Sequence, residues 1–471
     1  MQEETEKELS RSEQRDARIR ELFEGHSVPR TILTFAVPTI LSQVIHLIYN
    51  LADTFFVGHT NDPSQVAALT LSFPIFMVLL MVGNLFGIGA NSLMSRSLGA
   101  EDRETARKAS TFAFWGAIGL MAVIAVVLQL SMGPLLRVVG ARTEDAFRAA
   151  AGYLRWTVVI GGVPSVASLL LGNLIRAEGN TKQASIGTSL GGLINLVIDP
   201  VFIFALGMGA VGAGLATAIG NACSLVYLLA VVFRTKDTVI CLNPARLRFE
   251  RRIVKEVVLV GIPSAVTIIL GSTSNIILTH YMSVHGDVAM AAFGIVQKVS
   301  SVVVQIAMGL CAGIMPLLGF SFGSKNHGRV REIVRWSALM LFAFAGAVLV
   351  LVELLPGPVV SIFISQPETV ALASSFARVW ILCVFGMCST HLFNAVFQSS
   401  GHWGYSLALS VFRTGCPLIP LVLILGHVFG MYGLVAAQPV TDILVVFAGL
   451  ILFLVLMRQI RRTEEAERTE I

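Results

Sequence analysis

Twelve apolar runs, each about twenty residues or longer, divide this 471-residue chain, and short charged segments separate them. A helix crossing the roughly 30 Å hydrocarbon core of a bilayer needs about 20 apolar residues, so these runs predict transmembrane helices. They fall at 31–57, 66–93, 109–132, 153–175, 184–206 and 210–233, then at 255–283, 288–316, 334–355, 375–397, 405–427 and 431–457. Charged residues make up 13% of the chain, against about 25% in ordinary soluble domains, which excludes a soluble fold. The net charge of +5 does not point to nucleic acid, because the bases lie in the short segments between apolar runs. Six cysteines (Cys223, Cys241, Cys311, Cys383, Cys388 and Cys416) form no CxxC pair and have no histidine at zinc spacing, so they read as packing residues. Residues 1–30 carry charges of both signs, with Arg11, Arg15, Arg18 and Arg20 among them, and no apolar core of signal-peptide length. The first helix is therefore expected to target the chain itself.

An even number of crossings puts both ends on one side. The loops with Arg96, Arg103, Arg107 and Lys108, with Arg246, Arg248, Arg251 and Arg252, and with Lys325, Arg329, Arg331 and Arg335 lie on that same side. The positive-inside rule makes it cytoplasmic, with the outer segment carrying Arg137, Arg142 and Arg148 as the exception. The chain also repeats itself. Pro38 aligns with Pro263, Asn50 with Asn275, Ser97-Leu98-Gly99 with Ser321-Phe322-Gly323, Arg107 with Arg331, Gly179 with Gly401 and Gly214-Leu215 with Gly433-Leu434. The expectation is an all-α integral membrane protein of twelve helices in two pseudo-symmetric six-helix bundles. Residues 1–30 are a cytoplasmic segment, 31–233 the first lobe, 234–254 a cytoplasmic linker read as a solvated charged face, 255–457 the second lobe and 458–471 a cytoplasmic tail.

Ionisable side chains inside a bilayer are costly, by roughly 2.5–3.5 kcal/mol on insertion scales, so each one needs a reason. On the first helix Gln43, His46, Asn50 and Asp53 share one face. On the fifth, Asn195 and Asp199 are one turn apart. Two acids on separate helices, each beside an amide, could bind a cation or share a proton. Asp53 could instead face water near the outer end of its helix, and Asp199 could owe its place to the kink at Pro200. Asn173 and Thr217 are weaker candidates, since lone polar residues in membrane helices often bridge neighbouring helices. His46 and His280 read as packing histidines. The second half lacks the acids: Leu278 stands at the position of Asp53, and Pro417 near that of Asn195. Its membrane charges, Lys298, Arg413 and Asp442, are expected to pair, face a cavity or lie near an interface. Abundant methionines and phenylalanines could line an adaptable cavity, although most must face lipid or core.

The segment Tyr49-Asn50-Leu51-Ala52-Asp53-Thr54-Phe55-Phe56-Val57-Gly58 resembles the first-helix motif of the multidrug and toxic-compound extrusion (MATE) transporters. Gly83 through Ala90 with Ser97-Leu98-Gly99-Ala100, Arg176-Ala177-Glu178-Gly179-Asn180, Asn195 through Pro200, and Val211 through Thr217 are similar to further segments of that family. The likeness covers nearly the whole chain and is nearest to the bacterial MepA-like branch. It implies a V-shaped pair of six-helix bundles around a central cavity in the inner membrane, exporting drugs and organic cations in antiport with H⁺ or Na⁺. Residues matching Asp53, Asn195, Asp199 and Thr217 would hold the coupling ion, with Asn50 and Asn173 as further candidates. The expected partners are small-molecule drugs and membrane lipids; no cofactor or resident metal is implied, and the unit is taken as a monomer. A flippase for lipid-linked saccharides would usually add helices and a cationic cavity. A membrane-embedded enzyme would need a nucleophile–base pair or metal cluster, and none appears at usable spacing.

Overall fold

The computed structural model describes residues 19–60, 62–235 and 237–469, with side chains through 462. Arg11, Arg15 and Arg18 lie outside the described residues. The first half contains α1 (Val28–Gly58), α2 (Pro63–Gly99), α3 (Arg103–Val139), α4 (Glu144–Leu154), α5 (Gly162–Ala177), α6 (Thr181–Pro200) and α7 (Gly209–Arg234). One π-helical turn follows α4 at Arg155–Ile160, and a second follows α6 at Val201–Ala205. The second half contains α8 (Arg251–Ser283), α9 (Asp287–Gly323), α10 (His327–Leu354), the short α11 (Pro356–Ser361), α12 (Pro367–Trp380), α13 (Val384–Ser399), α14 (Trp403–Thr414) and α15 (Leu418–Thr469).

Among the described residues, ten helical stretches are long and apolar enough to cross a bilayer, and α4 with α5, bent by 49°, makes an eleventh. The last stretch, Trp403–Arg462, has 60 residues and would be roughly 90 Å long if straight, about three hydrocarbon thicknesses. It is not straight. Gly430 breaks it at φ 57°, ψ −137°, a conformation open to glycine, and so divides it into two crossings. Twelve spans result, as the hydropathy predicts. Exposed apolar stripes mark the faces that lipid covers: Val123, Val126, Val127 and Leu130 on α3, and Phe447, Ile451 and Leu454 on α15.

The repeat recurs in three dimensions as a repeated bond. Ser42 and Thr188 join α1 to α6 through their hydroxyls at 2.8 Å, and Thr267 donates to Ser410 at 2.9 Å between α8 and α14. Ser42 stands eight residues before Asn50, as Thr267 does before Asn275; Thr188 stands nine after Gly179, as Ser410 does after Gly401. Equivalent residues thus make equivalent helix contacts.

The chain forms two compact units. One comprises Met1–Ala265, Ala312–Ile333 and Ser399–Gly401; the other comprises Val266–Cys311, Val334–Gln398 and His402–Ile471. Inside the first unit, α2 meets α9 backbone to backbone at two repeat-related glycines, Gly99 against the Phe320 carbonyl and Gly323 against the Arg96 carbonyl. Phe23, ahead of α1, is buried there, stacked 4.6 Å from Phe320, and Arg329 donates to its carbonyl oxygen at 2.6 Å. The segment joining α7 to α8 is more than a solvated charged face: Val239 and Ile240 are buried, Thr111 donates to the Cys241 carbonyl at 2.9 Å, and Trp115 Nε1 to that of Leu242 at 3.1 Å. Its apolar run Val239-Ile240 accounts for the packing; its arginines keep it wet. At the opposite end Asp62 starts α2 by accepting from the Ser64 amide at 2.9 Å and hydroxyl at 2.7 Å, bonds that hold its carboxyl below the usual carboxylate range. All six cysteines are free thiols.

Candidate coupling-ion site

Helices α1 and α6 run parallel, and matched contacts climb them together. Ser42 meets Thr188, the Tyr49 ring fills the space that a side chain at Gly192 would need, and the Asp53 and Asp199 carboxyls stand within hydrogen-bonding reach of each other. Asn195, one turn before Asp199, donates to Asp199 Oδ1 at 3.2 Å and to Thr217 Oγ1 at 3.3 Å. Thr217 donates to the Ala213 carbonyl at 2.9 Å, so its oxygen is left to accept. Asn195, Asp199 and Thr217 are buried and Asp53 is half-buried.

Backbone irregularity places these groups. Pro200 has no N–H, so the helix loosens into the π-turn Val201–Ala205 directly after Asp199. Kink and polar site therefore coincide at this residue. The other π-turn begins two residues after Tyr153, whose phenol lies in the field of both carboxyls, as does that of Tyr49. Glycines on α7 let it approach both turns: a Cβ at Gly214 would sit 3.0 Å from the Tyr153 carbonyl oxygen, and one at Gly212 2.9 Å from the Phe202 backbone.

Asp53 Oδ1, Asn195 Oδ1 and Asp199 Oδ2 are buried without a hydrogen-bond partner. Orphaned buried acceptors are unfavourable, and two carboxylates this close repel each other in a low dielectric. A shared proton, or a hard cation held by oxygens, relieves both penalties at once. The residues present thus fit either coupling ion.

Two candidates stand apart from this cluster. Asn50 is exposed and donates to the His46 carbonyl at 2.7 Å. Asn173 donates to Leu169 at 3.1 Å, receives Arg176 at 3.4 Å, and its carbonyl accepts from Asn91 at 2.9 Å. Its neighbour Arg176 reaches Thr188, about 16 Å along α6 from Asp199. Tyr49 and Tyr153 were not singled out by sequence. Tyr49 carries a legible signal, since it stands one turn before Asp53 on the polar face; Tyr153 carries none.

In the second half Leu278 is buried at the repeat position of Asp53, and Asn275 accepts from Gln297 at 2.9 Å. Lys298 is exposed on α9. Arg413 and Asp442 pair at 2.9 Å, with Gln438 donating to the second Asp442 oxygen at 3.2 Å. Asp442 is 1% exposed, so removing its partner strands a buried charge. Arg413→Ala is expected to destabilise the folded protein by about 3–5 kcal/mol, and the double change Arg413→Met with Asp442→Leu by much less. Thermal unfolding in detergent reads the difference.

The MatE family model matches the chain twice, over residues 38–201 and 263–424, one match in each half of the repeat. The chain belongs to the MatE family. It is 25% identical over 431 residues to the multidrug export protein MepA of Staphylococcus aureus strain MSSA476, covering 91% of this chain and 94% of that protein. The MepA of Staphylococcus saprophyticus is 26% identical over 449 residues, covering 95% and 98%. A MATE crystallised in complex with MaL6 shares the fold at a TM-score of 0.88 and 23% identity, over 94% of this chain and 99% of that one.

Proposed function

We propose that this chain exports drugs and organic cations by alternating access, in exchange for H⁺ or Na⁺ bound at Asp53 and Asp199. The observation that carries the reading is the facing pair of carboxyls, with three unpartnered oxygens, one on each carboxyl and one on Asn195, found among the described residues in the first half only. Family membership and relatives named as multidrug export proteins support the class of cargo. It acts as a transporter and not an enzyme, a monomer in the inner membrane with lipid around it. Residues 31–233 and 255–457 serve as its lobes, and the basic segments at one end support cytoplasmic termini. Asn195 and Thr217 complete the ion's oxygen shell. Tyr49 and Tyr153 border it.

Only a difference in ion affinity between inward-open and outward-open states can drive export. Efflux of ethidium or norfloxacin from proteoliposomes, measured first under a pH gradient and then under a sodium gradient, tests this. Flux under one gradient alone names the ion. Absence of flux under both would overturn the antiport reading.

A further inference from the structure

We propose that the segment joining α7 to α8 is a binding site for an anionic phospholipid of the leaflet at the basic-loop end, its phosphate held by Arg246, Arg248 and Arg251.

Residues 238–250 form a hairpin strapped along α3. Going out, the Cys241 amide donates to Ser110 at 3.0 Å, Thr111 donates to the Cys241 carbonyl at 2.9 Å, and Trp115 Nε1 to that of Leu242 at 3.1 Å. Coming back, Phe249 meets Phe112 edge to face at 6.0 Å, and Glu250 pairs with Lys108 at 2.8 Å. The tip, with its turn Pro244–Arg246 packed against α3, therefore stands level with Trp115. Glu178 pins the base, accepting from the Thr238 hydroxyl at 2.8 Å and from the Val239 amide. A segment held in this way presents its side chains with little further ordering cost.

That height is the edge of the bilayer. Helix α3 has 37 residues, about 55 Å, against a hydrocarbon core of roughly 30 Å, so much of it lies outside the core. Its large apolar side chains become exposed only from Leu120, Val123 and Val126 onward. Trp115 stands just before them, in the layer that tryptophan favours, and Phe249 close by is 73% exposed. The repeat shows what the strap displaces. Counted from Arg107 and Arg331, Thr111 and Trp115 correspond to Arg335 and Leu339 on α10, and both of those are exposed, Leu339 by 56%. Helix α10 is bare there, whereas the strap covers α3, so lipid on this side meets the strap.

The charges fit a phosphate. Arg246, Arg248 and Arg251 are exposed, and none forms an ion pair among the described residues. The acids nearby are occupied: Lys108 takes Glu104 at 2.6 Å as well as Glu250, while Arg96 and Arg252 each hold Glu256 at 3.2 Å. Arg248 lies in the field of Glu104 without bonding it. A guanidinium grips a phosphate through paired N–H groups, and bases beside a membrane favour anionic lipid by about fivefold each. A soluble anion would meet the same charges but gain nothing from their depth.

The test reads lipid contact at Trp115. With Trp156, Trp336, Trp380 and Trp403 replaced by Phe, the full-length protein is reconstituted in phosphatidylcholine and titrated with phosphatidylglycerol, either lipid carrying brominated chains that quench indole on contact. The parent is expected to show a roughly tenfold preference for the anionic lipid, falling to about one in the triple variant Arg246→Gln, Arg248→Gln, Arg251→Gln. Arg331→Gln with Arg335→Gln removes charge from α10 and should leave the preference intact. Equal quenching by both lipids in the parent, or a preference that survives the triple change, would overturn the site. So would its abolition by millimolar inorganic phosphate, which would make the ligand a soluble anion. Native mass spectrometry of the protein with all five tryptophans is the second measurement. Phosphatidylglycerol should stay bound to the parent and be lost from the triple variant, and equal retention by both would likewise overturn the proposal.

Discussion

Asp199→Asn, alone or with Asp53→Asn, is expected to reduce gradient-driven drug accumulation to no more than equilibration, while insertion and folding survive. The two carboxyls face each other, and Asp199 is fully buried. An amide there keeps the shape and the bond to Asn195 but removes the charge that makes an incoming cation necessary. A fifty-fold ion gradient stores about 2.3 kcal/mol per ion, enough for roughly fifty-fold accumulation at one-for-one exchange when coupling is complete. With the site neutral, ion affinity no longer differs between the two open states, and the ratio should fall to about one. Counterflow exchange of labelled for unlabelled drug needs no gradient, so it should persist. Measuring both in the same vesicles separates lost coupling from lost transport. Fifty-fold accumulation by the double variant would show that the ion binds elsewhere.

The span count and the repeat were legible because both depend on local pattern: run length, and residues recurring at fixed offsets. Even the merged 60-residue stretch is divided in the sequence by Gly430, between the eleventh and twelfth apolar runs. Helix ends were less legible. Helix α2 continues to Gly99, past the predicted 93, because Ser95 and Ser97 are buried inside the first unit although hydropathy counts them as polar. At the site, shared helical faces picked out Asp53, Asn195 and Asp199, and the family likeness raised Thr217 from a weaker candidate to a site residue. Spacing along one helix says nothing of height relative to another. Helix α5 runs antiparallel to α6, so Arg176, near its end, lies level with Thr188, and Asn173 falls well below Asp199. Arg413 and Asp442 were recognised as anomalous charges, but their pairing across 29 positions is a tertiary fact.

Gly99→Leu or Gly323→Leu is expected to abolish efflux although either protein should still insert. A Cβ at Gly99 would overlap the Phe320 carbonyl oxygen, and one at Gly323 the Arg96 carbonyl oxygen, so neither helix can move aside without separating this crossing. The same end of the first unit holds two more glycine contacts of this kind, Gly89 against the Val257 carbonyl and Gly261 against that of Leu85. Overpacking typically costs about 1–3 kcal/mol, and the upper figure lowers the population of this arrangement roughly a hundredfold. Because the clash involves backbone on both sides, no rotamer change relieves it. An exporter that cannot close at the basic-loop end cannot complete a cycle. Ser95 reports on that closure: it is fully buried beside Gly319. As Ser95→Cys in a cysteine-free background, it should resist a membrane-impermeant maleimide in inverted vesicles, and react readily once Gly99→Leu is added. Gly119→Leu is the control, since nothing lies within 4 Å of a Cβ there, and it should leave both efflux and protection unchanged. Continued protection of residue 95 in the Gly99→Leu protein, with parental efflux, would mean that close contact of α2 with α9 is dispensable.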